Sequence, residues 1–232
     1  DDVIRDGAGF EAYWQPGDLI DAGHPEIVAY ATRIAGEGCY KERALRLYYA
    51  VRDDLRYDPY NTPMKREAYR ASATLAPGHG YCVNKAGLMA AVCRAVGIPA
   101  RVGYADVRNH MTTKRLAELM GSDVFYYHGY TDVWLEGRWV KATPAFNREL
   151  TEKFGLKPLD WDAVGDSIYH PFDLSGRRHM EYLAYRGVFA DIPFDEIRGA
   201  FRHYYPRMTR AQEEMPLGGD FGAEGAAEAK ST

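Results

Sequence analysis

The run CVNKAGLMAAVCRAV, residues 82–96, is apolar nearly all round a helical wheel, with Lys85 and Arg94 as its charged exceptions. A helix with no polar face cannot lie on a surface. It predicts a buried central helix, stopped by Gly97 and Pro99, around which the rest of the chain has to be wrapped. Gly78 and Gly80 lead into it, and Cys82 stands where the loop becomes helix.

What wraps it can be read from periodicity. Pro25 suits a first helical turn, and Ile27, Tyr30, Ala31 and Ile34 follow at helical spacing. Ala44, Leu47, Tyr48, Val51 and Leu55 repeat that pattern until Pro59 pushes Asp58 out of the helical region. ARVGYADV reads as a strand, and TTKRLAELMG as a short helix ending at Gly121. DVFYYHGYTDVWL and RWVKATPAF flank Glu136-Gly137 as a hairpin. Alternation along its first strand puts Tyr126, His128, Tyr130, Asp132 and Trp134 on one face. Packed helices followed by an antiparallel sheet give an α+β fold. One domain is expected over residues 1–215. It has an irregular arm at 1–22 and a C-terminal excursion at 151–215, whose last helix, FDEIRGAFRHYYPRM, is interrupted at Pro206. The Gly/Ala/Glu-rich residues 216–232 read as a disordered tail.

Composition narrows the function. A net charge of −4 supplies no basic field for nucleic acid and no polybasic anchor for a membrane. No apolar run approaches the roughly 20 residues that span a bilayer, and no secretory signal is read at the start. Three cysteines make no disulfide framework and suit a reducing cytoplasm. Without a CxxC pair or HExxH, no metal is expected, and no other cofactor is predicted. His170, Asp173 and His179 are too widely spaced in a loop to argue for one.

Cys82 is then the residue to explain. Amide N–H groups and the dipole at a helix start favour a thiolate, which predicts a thiol pKa below the free value near 8.5. The same amides can hold an oxyanion. Cys93, eleven residues on, lies about 16 Å further along the axis and reads as core. A thiolate enzyme needs a base on a separate element, and His128 is the best candidate. Each residue alone also has a plain reading: buried cysteines usually only pack, and a strand histidine is usually structural.

Taken together, GYCVNKAGLMAAVCRAVGIPAR, a strand, and YHGYTDVWLEGRWVKATP resemble the transglutaminase-like superfamily of papain-like cysteine enzymes, over residues 20–147. HPEIVAYA and RLYYAVRDDLRYDP resemble the helices before the cysteine in bacterial members. The resemblance implies a papain-like core with Cys82 as nucleophile and His128 as base. It also exposes a departure. The family pattern W-V-x-x-D reads Trp139-Val140-Lys141-Ala142-Thr143 here, so Thr143 stands in the position of the acid that would orient the imidazole. Asn147 is an alternative orienter, whereas Asp132 is four residues along the strand and too far for a direct bond. Tyr81, His110, Tyr130, Asn147 and His170 are the expected substrate-binding residues. His79, three residues before Cys82, reads as a turn residue.

The expected chemistry is thiolate attack on an amide or other acyl group of a small molecule or short peptide, with hydrolysis or acyl transfer following, and without calcium. Two other readings remain open: a binding or scaffold protein without turnover, and a cysteine-dependent lyase or isomerase. The stretch Asp160–Tyr182, rich in polar and aromatic residues, is expected to fold over the Cys82 cleft.

Overall fold

A computed structural model describes residues 2–109, 112–168 and 180–231. Helices α1 (Pro25–Ala35) and α2 (Tyr40–Asp54) come first, each packing the apolar stripe that its spacing predicts. Strand β1 (Arg56–Tyr57), helix α3 (Ala71–Leu75) and strand β2 (His79–Gly80) lead to the central helix α4 (Cys82–Ala95). Then follow β3 (Ala100–Asn109), α5 (Lys114–Met120), β4 (Val124–Leu135), β5 (Arg138–Ala142), α6 (Arg148–Lys153) and β6 (Met180–Phe189). Helices α7 (Phe194–Tyr204), α8 (Pro206–Glu214) and α9 (Phe221–Ala229) complete the chain.

Every residue of α4 from Cys82 to Arg94 is buried, its two cations included. A buried cation is costly unless its donors are satisfied. Lys85 Nζ donates to the carbonyls of Arg52 and Leu55 at the end of α2, at 2.8 and 2.6 Å. These are carbonyls that a helix C-terminus leaves without intrahelical partners. Arg94 donates to the carbonyls of Ala100, Gln15 and Ala190. The two charged exceptions in the apolar run therefore tie α4 to the surrounding elements.

The sheet has four antiparallel strands in the order β5-β4-β3-β6. α4 packs on one face, where Thr131 Oγ1 donates to the Ala86 carbonyl at 2.8 Å. On the other face Arg101 lies over the Trp139 ring at 4.0 Å and bonds buried Asp132 at 2.9 Å. Alternation along β4 is not strict. Two residues, Tyr126 and Tyr127, stand opposite the single Asp106 of β3, and Tyr127 has φ 55°. This bulge is held by the Tyr127 amide donating to the Asp106 carboxylate, which Arg186 clamps in turn.

The segment expected to be a disordered tail contains α9. Asp220 caps it by accepting from the Ala223 amide, and Phe221, 2% exposed, packs against Tyr57, Tyr60 and Phe154. Glu224 accepts from the Tyr60 and Thr113 hydroxyls. The composition argument failed because one aromatic anchor and one satisfied carboxylate dock a helix whose small residues fit closely over the Phe154 ring.

Candidate active site

The loop before Cys82 is built by pairing. β1 and β2 run parallel, with Arg56 N donating to the Gly78 carbonyl and Asp58 N to the Gly80 carbonyl, both at 2.9 Å. Gly80 must be a glycine, since a Cβ there would lie 2.8 Å from Asn84 Cβ. Asn84 Oδ1 accepts from the Tyr81 amide and closes the first turn of α4. His79 lies in β2, with its ring 3.8 Å from the Asp58 carboxylate.

Cys82, 5% exposed, begins that turn. The amides of Gly129, Val83 and Cys82 itself favour its thiolate, as a helix start should. Burial nevertheless wins and pushes the thiol up to about 11, correcting the expectation of a lowered value. His128, 2% exposed, borders the same cavity. Burial drives its imidazole down to about 4, opposed by the Ile168 carbonyl. Its Nε2 has no hydrogen-bond partner among the described residues, and the ring lies parallel to Phe146 at 6.4 Å. Burial thus favours the neutral form of both thiol and imidazole.

Gly129 sets the approach of strand to helix. A Cβ at this position would lie 3.1 Å from the Cys82 carbonyl oxygen and 3.3 Å from Val83 Cα. The backbone of β4, one residue after His128, thus rests directly on the first turn of α4.

Thr143 does not bond to the imidazole. Its Oγ1 donates to the Ile168 carbonyl at 2.5 Å, the same carbonyl that faces the ring. A threonine at this position supplies a donor and no charge, so it engages an acceptor. Asn147 Oδ1 accepts from the Tyr57 amide at 3.0 Å, fixing a residue of the cavity wall and not the imidazole. Asp132 is bound to Arg101 and, at 3.5 Å, to Lys141.

Tyr81 borders the cavity, with its hydroxyl 2.7 Å from that of Tyr69. Tyr130 does not. Its ring occupies the space left open by Gly103 on β3, where any side chain would overlap it, and its hydroxyl reaches Tyr185 at 3.4 Å. It lines a separate recess with Asp2, Lys141 and Tyr185. Of the pair predicted to share a strand face, His128 borders the Cys82 cavity and Tyr130 lines the other recess. His110 and His170 lie outside the described residues, as do Asp173 and His179. Among the described part of the Asp160–Tyr182 stretch, Ile168 reaches the site, while Ser167 pairs alongside Ala142.

The cavity itself measures about 50 Å3. Its floor is Cys82 and His128, and its walls include Tyr57, Leu116, Met120 and Phe125. The roof was not anticipated: Phe201, Tyr205 and Met208 of the α7–α8 region close over it. Tyr205 pins this roof to β4, accepting from the Tyr126 amide at 2.7 Å and donating to the Val124 carbonyl at 2.6 Å. The spacing Phe194, Ile197, Phe201, Tyr205, Met208 was a readable apolar stripe, but nothing in it named its destination. Among the described residues, no group of His, Cys, Asp and Glu could hold a metal, and no helix is long and apolar enough to cross a membrane.

Residues 28–144 match the family model of the transglutaminase-like superfamily. Similar solved structures include a provisionally assigned cysteine protease from Cytophaga hutchinsonii, at 18% identity and TM-score 0.45, covering 79% of this chain and 55% of that one. The periplasmic domain of TgpA from Pseudomonas aeruginosa matches at 20% identity and TM-score 0.41, covering 60% of this chain and 48% of that one. The arylamine N-acetyltransferase from Mycobacterium abscessus matches at 16% identity and TM-score 0.38, covering 57% and 47%. The chain spans about half the length of each. No curated protein matches it.

Proposed function

The chain belongs to the transglutaminase-like superfamily, and we propose that within it the protein is a cysteine hydrolase or acyltransferase acting on a small amide, ester or short peptide. The observation that carries this reading is the shared cavity of Cys82, at an amide-rich helix start, and His128, whose Nε2 is buried and unpartnered. A buried nitrogen without a partner costs free energy, and a proton arriving from substrate or thiol would satisfy it.

Both groups rest neutral, so proton transfer and attack have to coincide. His128 Nε2 takes the thiol proton as sulfur bonds to the carbonyl carbon. The negative charge that develops on the carbonyl oxygen suits the main-chain amides at the start of α4. When the bond to the leaving nitrogen or oxygen breaks, His128 returns the proton to that atom. Water or an amine then attacks the thioester, giving an acid or a new amide and restoring the thiol. Thr143 contributes by holding the Ile168 carbonyl beside the imidazole.

A binding protein without turnover is the second reading. It is favoured by the uncharged pair and by the missing carboxylate at Thr143. Activated-ester acylation, followed by peptide mapping, separates the two. Stoichiometric acylation at Cys82 followed by release, lost in Cys82→Ala and kept in Cys93→Ala, is the expected result. Labelling that is the same in wild type and Cys82→Ala would refute the enzyme reading.

A further inference from the structure

We propose that the cavity beside Cys82 is the acyl subsite, and that it selects a short, uncharged acyl group of about two to four carbons. This rests on Cys82 being the nucleophile, and adds which half of the substrate the closed cavity holds and what chemistry that half has.

Four polar side chains of the wall are engaged within the protein, while the Tyr57 and Tyr126 hydroxyls and the His128 imidazole are uncharged groups of the same wall. The Tyr81 hydroxyl bonds that of Tyr69, and Tyr205 bonds β4. Thr209 Oγ1 donates to the Phe201 carbonyl at 2.9 Å, and Gln212 Nε2 to the Pro59 carbonyl at 3.1 Å. Among the described residues, no Asp, Glu, Lys or Arg borders the cavity. A ligand group entering past the sulfur meets chiefly the carbon and sulfur of Leu116, Met120, Phe125, Phe201 and Met208, with neutral hydroxyls as the polar remainder. A carboxylate or ammonium placed there would lose its water and find no counter-charge.

Size sets the length. A cavity of about 150 Å3 takes a benzene molecule; this one, at about 50 Å3, has room for a few carbons. Topology assigns the half of the substrate. The leaving group has to diffuse out first, so it belongs outside this small cavity. The acyl fragment stays bonded to sulfur and takes the cavity. Part of the cavity wall, Phe201, Met208, Thr209 and Gln212, comes from α7 and α8, outside the residues 28–144 that match the family model, so these C-terminal helices help to set the selectivity.

The test uses p-nitrophenyl esters of straight-chain acids from acetyl to octanoyl, together with the succinyl monoester. Acylation of Cys82 is followed by mass spectrometry in a Cys39→Ser background, since Cys39 is exposed. Butanoyl should acylate about 100-fold faster than succinyl, and octanoyl about 10-fold slower than butanoyl. Met208→Ala, which enlarges the wall, should move the optimum about two carbons longer. In parallel, the melting temperature of Cys82→Ser is measured with butanamide and with succinamate; only butanamide should raise it. Acylation of Cys82 that ignores chain length, or prefers succinyl, overturns the subsite and leaves the nucleophile standing. No acylation by any ester, with butanamide still stabilising Cys82→Ser selectively, keeps the apolar site and removes the nucleophile. Neither acylation nor selective stabilisation overturns both.

Discussion

Lowering the pH should unfold this protein partly through one side chain. His128 is 2% exposed and its imidazole is driven down to about 4 by burial, whereas a free histidine titrates near 6.5. Between those values the unfolded chain binds a proton at this position and the folded chain does not. The stability due to the neutral, buried ring is thus fully present above about pH 6.5 and is lost as pH falls toward 4. Linkage gives a loss of about 1.4 kcal/mol by pH 5.5 and about 2.6 kcal/mol by pH 4.5. Other groups titrate in that range, so the measurement is a difference. Urea unfolding of wild type and of His128→Gln is compared at pH 8, 5.5 and 4.5, and the gap between them should shrink by those amounts or reverse. The carboxylates common to both proteins cancel. A gap that changes by less than about 0.5 kcal/mol between pH 8 and pH 4.5 would mean that the folded imidazole takes its proton freely, and the neutral resting pair would be wrong.

Three further outcomes follow from the same geometry. Cys82 alkylation by iodoacetamide should keep rising beyond pH 9, because its thiol is pushed up to about 11; a plateau below pH 8 would show a stabilised thiolate instead. Asp132→Ala should cost about 2 kcal/mol, measured by urea unfolding, because it removes one of the two carboxylates on the buried Arg101 guanidinium and leaves Asp2 at 2.6 Å. It should also leave the Cys82 alkylation profile in place, and a displaced profile would mean that Asp132 acts on the imidazole. Phe221→Ala should cost about 3 kcal/mol by undocking α9 from Tyr57, Tyr60 and Phe154; an unchanged urea midpoint would show that this helix contributes nothing.

The central helix and the β4–β5 hairpin were legible because burial on all sides, and a turn between two apolar strands, each leave a one-dimensional signature. Cys82 and His128 were legible for the same reason, as residues placed at recognisable points on those elements. Tyr130 was misplaced because alternation reports a face and not what lies across it; the empty space at Gly103 is visible only once β3 and β4 are in register. The thiol pKa was misjudged because a helix start is local, while the depth of protein around it is not. The orienting carbonyl of Ile168 belongs to the backbone, and a backbone acceptor carries no residue-type signal. The roof from α7 and α8 could be read as helix and as apolar, but its target depends on how a distant part of the chain returns.

Gly129 touches the Cys82 backbone where any larger residue would carry a Cβ at 3.1 Å, close enough to force a few tenths of an ångström of retreat and too far to force unfolding. A few tenths of an ångström is small beside the slack of a side chain, but it falls between Cys82 and His128, the proposed nucleophile and the proposed base. The absent methyl at this position acts as a gauge, letting the backbone of β4 rest on the first turn of α4. Under the proposed function, changes here would register in the reaction rate before they registered in the melting curve, a place where the chain can be retuned without being rebuilt.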